Sequence, residues 1–308
     1  MESFQIIIED GTAIQAYSWL TVGKTLVVVQ IAHGMQEHAR RYAHFAQWLN
    51  DRGIAVYADD HIGHGLSAKN EAELSHFPRK DDWQRQVDLL HELTLKIKAK
   101  FPGLPVFILG HSMGSVLVQT YMIRYGKEAD GFILSGVIRQ PLVMANLGII
   151  MVRLLSMIFG PEDRSKLIVS LGYGSYYKKF KPNRTKCDWL SRDERIVDEY
   201  LASPLCGKRL TNMFYYNFFH GFKCIATQKN LAKITSGKPV LIISGQDDPA
   251  GFFGKAPKKI KQLLSKYASA NVNLRLYPEC RHEILNATNR EEVYRDVLHF
   301  ALSAGHRA

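Results

Sequence analysis

The chain has 308 residues, 46% hydrophobic and 22% charged, which is enough apolar material for one large α/β domain with an insertion, or for two domains, and excludes a disordered chain. A formal charge of +11 invites a nucleic-acid reading, yet no basic run interleaved with aromatics forms a binding module, so no nucleic-acid partner is expected. Residues 138–236 hold 16 Lys and Arg against 7 Asp and Glu, so +9 of the +11 is local; it suits an anionic membrane surface, an anionic substrate group or simply a solvated face.

Residues 1–10 lack the basic and long apolar regions of a secretory signal, which predicts a cytoplasmic protein. Cys187, Cys206, Cys224 and Cys280 show no paired metal-ligand spacing, so neither zinc nor structural disulfides are expected. Phe4–Ile8 and Ala13–Trp19 read as a β-hairpin around Asp10-Gly11, a type I′ turn signal. Thr25–Ala32 is a nearly continuous apolar run of the kind buried on both faces of a parallel sheet. It ends in His33-Gly34-Met35-Gln36-Glu37-His38, where the glycine lets the chain turn sharply and makes the Met35 amide a candidate oxyanion donor.

A helix from Arg41 to Asn50 precedes a second buried strand, Ile54–Ala58. In the loop after it, Asp60, His61 and His64 could ligate a metal, but glycines and short polar side chains also hold a tight loop by local hydrogen bonds, and no metal is expected. Asp81–Lys100 has helical periodicity and stops at Phe101-Pro102-Gly103. Val106–Leu109 then breaks into Gly110-His111-Ser112-Met113-Gly114 and a helical Val116–Arg124. Strand, Gly-x-Ser-x-Gly and helix form the context of a nucleophile elbow: Ser112 is forced into a strained, exposed position, and the Met113 amide at the helix start points into the same space. Gly34 and His111, which flank these donors, are placed with them in the substrate site.

After the strand Ala129–Gly136 the strand-helix alternation fails from about Arg139 to Lys233. This segment offers apolar Leu142–Phe159, a Tyr/Lys-rich loop at Tyr173–Lys181, acidic-basic Asp188–Tyr200 and the aromatic run Phe214–Phe219. An insertion of this length, at the sheet edge where open α/β folds bind ligands, is expected to cap the site. The domain reading is therefore a core first half at 1–138, a cap at 139–233 and a core second half at 234–308. Leu142–Phe159 contains Asn146 and Arg153 and is short for a bilayer span, so it is read as a cap helix that can line an apolar tunnel. Leu142, Met151, Leu154 and Phe218 are the candidate pocket residues. The sheet resumes at Pro239–Gly245, followed by Asp247 and Asp248, a helix at Ala256–Tyr267, a last strand at Val272–Tyr277, His282, and a closing helix at Glu291–Leu302.

An alcohol needs a base to take its proton and an acid to hold that base's tautomer. Ser112, Asp248 and His282 supply both, in the chain order of an α/β-hydrolase, each just past a strand end. His33-Gly34-Met35-x-Glu37-His38, Asp60-x-x-Gly63-His64-Gly65-x-Ser67, Gly110-His111-Ser112-Met113-Gly114, Gly245-x-x-Asp248-Pro249 and Arg281-His282-Glu283 together resemble the monoacylglycerol lipase and lysophospholipase branch of the α/β-hydrolase superfamily, which includes proteins labelled serine aminopeptidase-like. Asp188-Trp189-Leu190-Ser191-Arg192-Asp193 resembles a motif of bacterial relatives. The resemblance implies Ser112 as nucleophile, Asp248 as acid in preference to its neighbour Asp247, His282 as base, and Met35 and Met113 as oxyanion donors. It implies a mostly parallel sheet flanked by helices, no cofactor, and hydrolysis of a lipid ester. Acyl transfer to another acceptor, short-peptide aminopeptidase action and a non-catalytic binding role are the alternatives. Dehalogenase chemistry is disfavoured, since it would want a carboxylate at position 112.

Overall fold

The structure is a computed structural model that describes residues 1–172, 176–268 and 270–305. Its strands are β1 (Glu2–Ile7), β2 (Ala13–Trp19), β3 (Val27–Ala32), β4 (Ile54–Asp59), β5 (Val106–His111), β6 (Gly131–Ser135), β7 (Pro239–Gly245) and β8 (Asn271–Tyr277). They form one sheet in the order β1-β2-β4-β3-β5-β6-β7-β8, antiparallel from β1 through β4 and parallel from β4 to β8. Every residue of β3, β4, β5 and β6 is buried, which is why these strands read as unbroken apolar runs.

The expected hairpin is present, with Ile7 opposite Ala13, but its turn is not type I′. Gly11 N–H closes it by donating to Ile8 O at 2.9 Å, and of the turn residues only Gly11 has positive φ, +81°. A type I′ turn requires positive φ at both central residues. Asp10 instead accepts the Thr12 amide on its own carboxylate at 2.9 Å, a local bond that holds the longer turn.

The helices are α1 (Ala43–Asn50), α2 (Asp82–Lys100), α3 (Met113–Tyr125), α4 (Leu142–Phe159), α5 (Lys166–Gly172), α6 (Glu194–Ala202), α7 (Asn212–Ala226), α8 (Gln228–Leu231), α9 (Lys255–Tyr267) and α10 (Arg290–Gly305). Leu90 and Leu93 of α2, Val116 of α3 and Ile260 of α9 pack on one face of the sheet. Phe45 and Leu49 of α1 pack with Val293 and Val297 of α10 on the other. The stretch between β6 and β7 carries α4 to α8 and no strand among its described residues; of the Tyr/Lys-rich loop, Tyr173, Gly174 and Ser175 lie outside the described residues.

Helix α4 is apolar enough to cross a membrane, with mean hydropathy 2.1 over 18 residues. Its inner side nevertheless packs on α7: Ala145, Gly148, Ile149 and Val152 are buried, and the Phe219 ring lies 2.6 Å from where a Cβ on Gly148 would stand. The outer side leaves Val143, Ile150, Met157, Ile158 and Phe159 exposed.

A Cβ added at Gly114 would sit 2.1 Å from Ala32 O, so Gly114→Ala must push α3 off β3 and should cost about 1–3 kcal/mol or more. At Gly23, where nothing lies within 4 Å, the same change should stay within about 0.5 kcal/mol. Urea unfolding of the two variants checks this; equal midpoints would refute the packing argument.

Candidate active site

Ser112 joins β5 to α3 with φ +52° and ψ −115°, a conformation that costs a non-glycine residue of order 1–3 kcal/mol. Its surroundings leave no alternative. A Cβ at Gly110 would come 2.3 Å from Gly114 O, so only glycines allow strand and helix backbones to meet this closely. Ser112 N–H is held by Ser135 O at 2.9 Å, and Ser115 Oγ donates to Ser112 O at 2.6 Å.

Ser112 Oγ lies 2.8 Å from His282 Nε2, and His282 Nδ1 lies 2.9 Å from Asp248 Oδ2. A carboxylate only accepts, so Nδ1 carries the proton and Nε2 is left to accept from the serine hydroxyl. Asp248 is completely buried, and its other oxygen accepts the Ala250 amide at 2.9 Å. Asp247 is turned outward and half-buried, 3.6 Å from Lys179 Nζ. Burial opposes a charge on His282, but the Asp248 carboxylate, aided by Glu283 and Glu37, outweighs it and lifts the imidazole above its usual range. His111 packs beside His282, with ring centroids 4.9 Å apart; burial and the His282 charge push it down to about 3, so it stays neutral.

A second set of charges braces the loops. Arg41 donates to both oxygens of Glu283 at 2.8 Å and to Glu37 Oε2 at 2.6 Å. Glu37 Oε1 in turn accepts Gly34 N–H at 2.6 Å and Tyr42 Oη–H at 2.9 Å. All three charged side chains are at most 10% exposed. Burial would keep Glu283 protonated, but the Arg41 guanidinium overrides it and holds the carboxyl down at about 2. The loop after β3 is thus tied to the loop that carries His282. A Cβ on Gly34 would meet Glu37 Oε1 at 2.6 Å and Ser112 Cβ at 3.3 Å, so this glycine is needed for the approach.

The polar loop after β4 serves the same framework. Asp60 accepts the amides of Ala39 and Leu66 and the Tyr17 hydroxyl, each at 2.8 Å. His61 bonds Asp59 and His33 O, while His64 bonds Ile62 O and accepts Gln36 N–H at 3.3 Å. His33 donates from Nδ1 to Gly34 O at 2.6 Å. These donor atoms brace the segment that bears Met35.

A cavity of about 580 Å³ opens over Ser112 and His282. Gly34, Met35 and His111 line it from the sheet edge, and Met151 and Phe218 from the insertion. Met113 begins α3 beneath it, fully buried. Leu142 and Leu154 do not line it. Leu142 precedes and Leu154 follows the stretch of α4 that does, Met144 to Met151, and both are exposed, at 38% and 55%. Sequence reasoning missed Trp189 and Tyr215 in the wall, and the Glu37, Arg41, Glu283 cluster behind it. The Glu37/Arg41 spacing of four was a readable signal; the long-range partner Glu283 was not.

A buried acid, imidazole and strained serine at the C-terminal edge of this sheet define an α/β-hydrolase. The chain belongs to the Hydrolase_4 family, described as serine aminopeptidase S33, which matches residues 23–289. It is 30% identical over 278 residues to a monoacylglycerol lipase of Mycolicibacterium smegmatis, covering 90% of this chain and 88% of the relative. It is 28% identical over 243 residues to the monoglyceride lipase of Homo sapiens, covering 78% and 71%. A thermostable carboxyl esterase of Bacillus coagulans, solved with glycerol, superposes with a TM-score of 0.89 at 26% identity, covering 97% of each chain. The chain is a carboxylic-ester hydrolase.

Removing Arg41 leaves two buried carboxylates unpaired, so Arg41→Met should cost about 3–5 kcal/mol in urea unfolding. The triple change Glu37→Gln, Arg41→Met, Glu283→Gln should recover most of that loss. A single variant as stable as wild type would show that the cluster does not brace the loops.

Proposed function

We propose that Ser112 attacks the carbonyl of a lipid ester, a monoacylglycerol or lysophospholipid, and forms an acyl-enzyme. The observation that carries this is the 2.8 Å contact between Ser112 Oγ and His282 Nε2 at the base of a cavity walled by Met144, Leu147, Met151, Tyr215, Phe218 and Phe222. His282 takes the hydroxyl proton as Oγ bonds the carbonyl carbon; Asp248 stabilises the imidazolium, and the Met35 and Met113 amides receive the oxyanion. The imidazolium then protonates the departing alcohol, and a water activated the same way releases the acid. Residues 139–233 act as the cap that shapes the acyl site. The names of the lipase relatives support the substrate class.

Aminopeptidase action would need free carboxylates for the substrate amine. Among the described residues the acids lining the cavity are Glu37 and Glu283, both engaged by Arg41. Acyl transfer uses the same acyl-enzyme and differs only in the acceptor. The exposed side of α4 is the surface by which we read the enzyme as meeting lipid, with Val143, Ile150, Met157, Ile158 and Phe159 turned outward and Arg153 on the same helix.

Ser112→Ala and His282→Ala should each lower kcat by about three to six orders of magnitude and act non-additively. Ser112→Ala should also abolish fluorophosphonate labelling; persistent labelling or turnover refutes the nucleophile. Only neutral His282 can accept the proton, so kcat/KM should rise with pH through a pKa above the ordinary value of about 6.5. Asp248→Asn removes the chief raising influence and should move that limb to lower pH while kcat falls.

Each added methylene should gain up to about 0.8 kcal/mol in an apolar site, so kcat/KM on p-nitrophenyl esters should climb by up to about fifteenfold per two carbons until the pocket fills. Phe218→Asp should penalise long esters more than acetate. Leu154→Asp, on the outer side, should spare soluble esters and weaken attachment to lipid vesicles. A flat or falling chain-length profile removes the lipid reading and leaves the esterase.

A further inference from the structure

The motif Asp188–Asp193 belongs to the insertion, yet it makes a row of contacts with the loop that carries His282. Glu283 N–H donates to Leu190 O at 2.8 Å, and His282 N–H to Trp189 O at 3.4 Å. Arg281 Nη1 donates to Asp188 O and, at 3.1 Å, to Ser191 O. Ser191 Oγ donates to Asn286 O at 2.9 Å, at the far end of the same loop. The Trp189 ring lies on the His282 imidazole, centroids 5.0 Å apart and planes 41° apart. The segment is itself anchored: Asp188 accepts the Arg184 amide at 2.7 Å and the Thr185 amide at 3.1 Å, and Asp193 accepts the Arg195 amide at the start of α6.

From this geometry we propose that Asp188–Ser191 is a positioning element for His282, with Trp189 and Arg281 as positioning residues, so that this part of the insertion is structurally part of the catalytic site. The proposal rests on the reading of His282 as base. Buried amide donors need acceptors, and those of His282 and Glu283 find them in two consecutive carbonyls of the segment. Its departure would strip both amides and uncover the imidazole. Arg41 holds Glu283 from the core side, so the loop is gripped from both sides, and Tyr200 of α6 lies over the Arg41 guanidinium at 5.1 Å. The insertion therefore has a fixed root at 188–200 and a separate apolar helix at α4.

The test measures kcat and KM of the full chain on a medium-chain p-nitrophenyl ester, with active enzyme counted by fluorophosphonate titration. Arg281→Lys keeps the cation but ends one bond short of the Nη1 that meets both carbonyls. It should lower kcat about ten- to a hundredfold per labelled site, the scale of a small misplacement of a catalytic group, with KM changed little. Trp189→Ala should lose kcat comparably, and Trp189→Phe, which keeps an aromatic face on the imidazole, should restore most of it. Wild-type kcat in both Arg281→Lys and Trp189→Ala overturns the proposal. So does a loss that disappears once turnover is divided by labelled enzyme, because that is loss of fold alone. Failure of the base reading shows differently, as turnover that survives His282→Ala.

Discussion

The close contact of three backbones at the end of β5 governs everything above it. Without side chains at 110 and 114, α3 leaves β5 so steeply that its first turn touches β3, and Ser112 is left at φ +52°. The strain persists because the fold over-determines it: the Ser112 amide is spent on Ser135 and Gly110 pairs with Leu134 in the sheet. Gly34 extends the same crowding into the loop after β3, since its missing Cβ would lie 3.3 Å from that of Ser112. The positive end of the α3 dipole is thereby aimed into the space over the serine, where charge develops in an ester hydrolase.

Electrostatics is arranged around the same point. Arg41 is shared by Glu37 and Glu283, so the buried cluster carries a surplus of negative charge close to His282. That surplus adds to Asp248 in raising the imidazole. A buried cluster of this kind is an expensive way to gain stability, because desolvation cancels much of the attraction. Its value here is geometric and electrostatic together: it locks the Gly34 loop against the His282 loop and favours a charged His282 imidazole, which the proposed mechanism needs when Ser112 gives up its proton.

Much of this was readable because it is local. Unbroken apolar runs gave away β3 to β6, and Gly110-His111-Ser112-Met113-Gly114 between strand and helix gave away the turn. What stayed hidden depends on facing. Helix α4 is so uniformly apolar that nothing in its sequence marks an inner stripe; Leu154 and Met151 look equivalent until α7 is packed on one side. The hairpin turn was misread because Asp10 bonds locally instead of taking positive φ. Glu283 and Trp189 gained their roles from partners more than ninety residues away, Glu283 through Arg41 and Trp189 through His282, and no window along the chain contains such pairs.

Little of the insertion's positive charge faces the cavity. Of the 16 Lys and Arg between 138 and 236, Arg139 is the one among the described residues that lines the cavity. Most of the others, including Lys166, Lys178, Lys181, Lys186, Lys223 and Lys229, are exposed. The local charge is therefore not directed at the bound substrate, which sets aside the anionic-substrate explanation for the bulk of it. Exposed charges act over about a Debye length, roughly 10 Å at 0.1 M salt, so their reach is into solvent and not into the cavity. An anionic lipid surface, as we propose for this enzyme, would make complementary demands on both features of the segment between β6 and β7: its exposed cations would meet headgroups, and the apolar outer side of α4 would enter the acyl boundary.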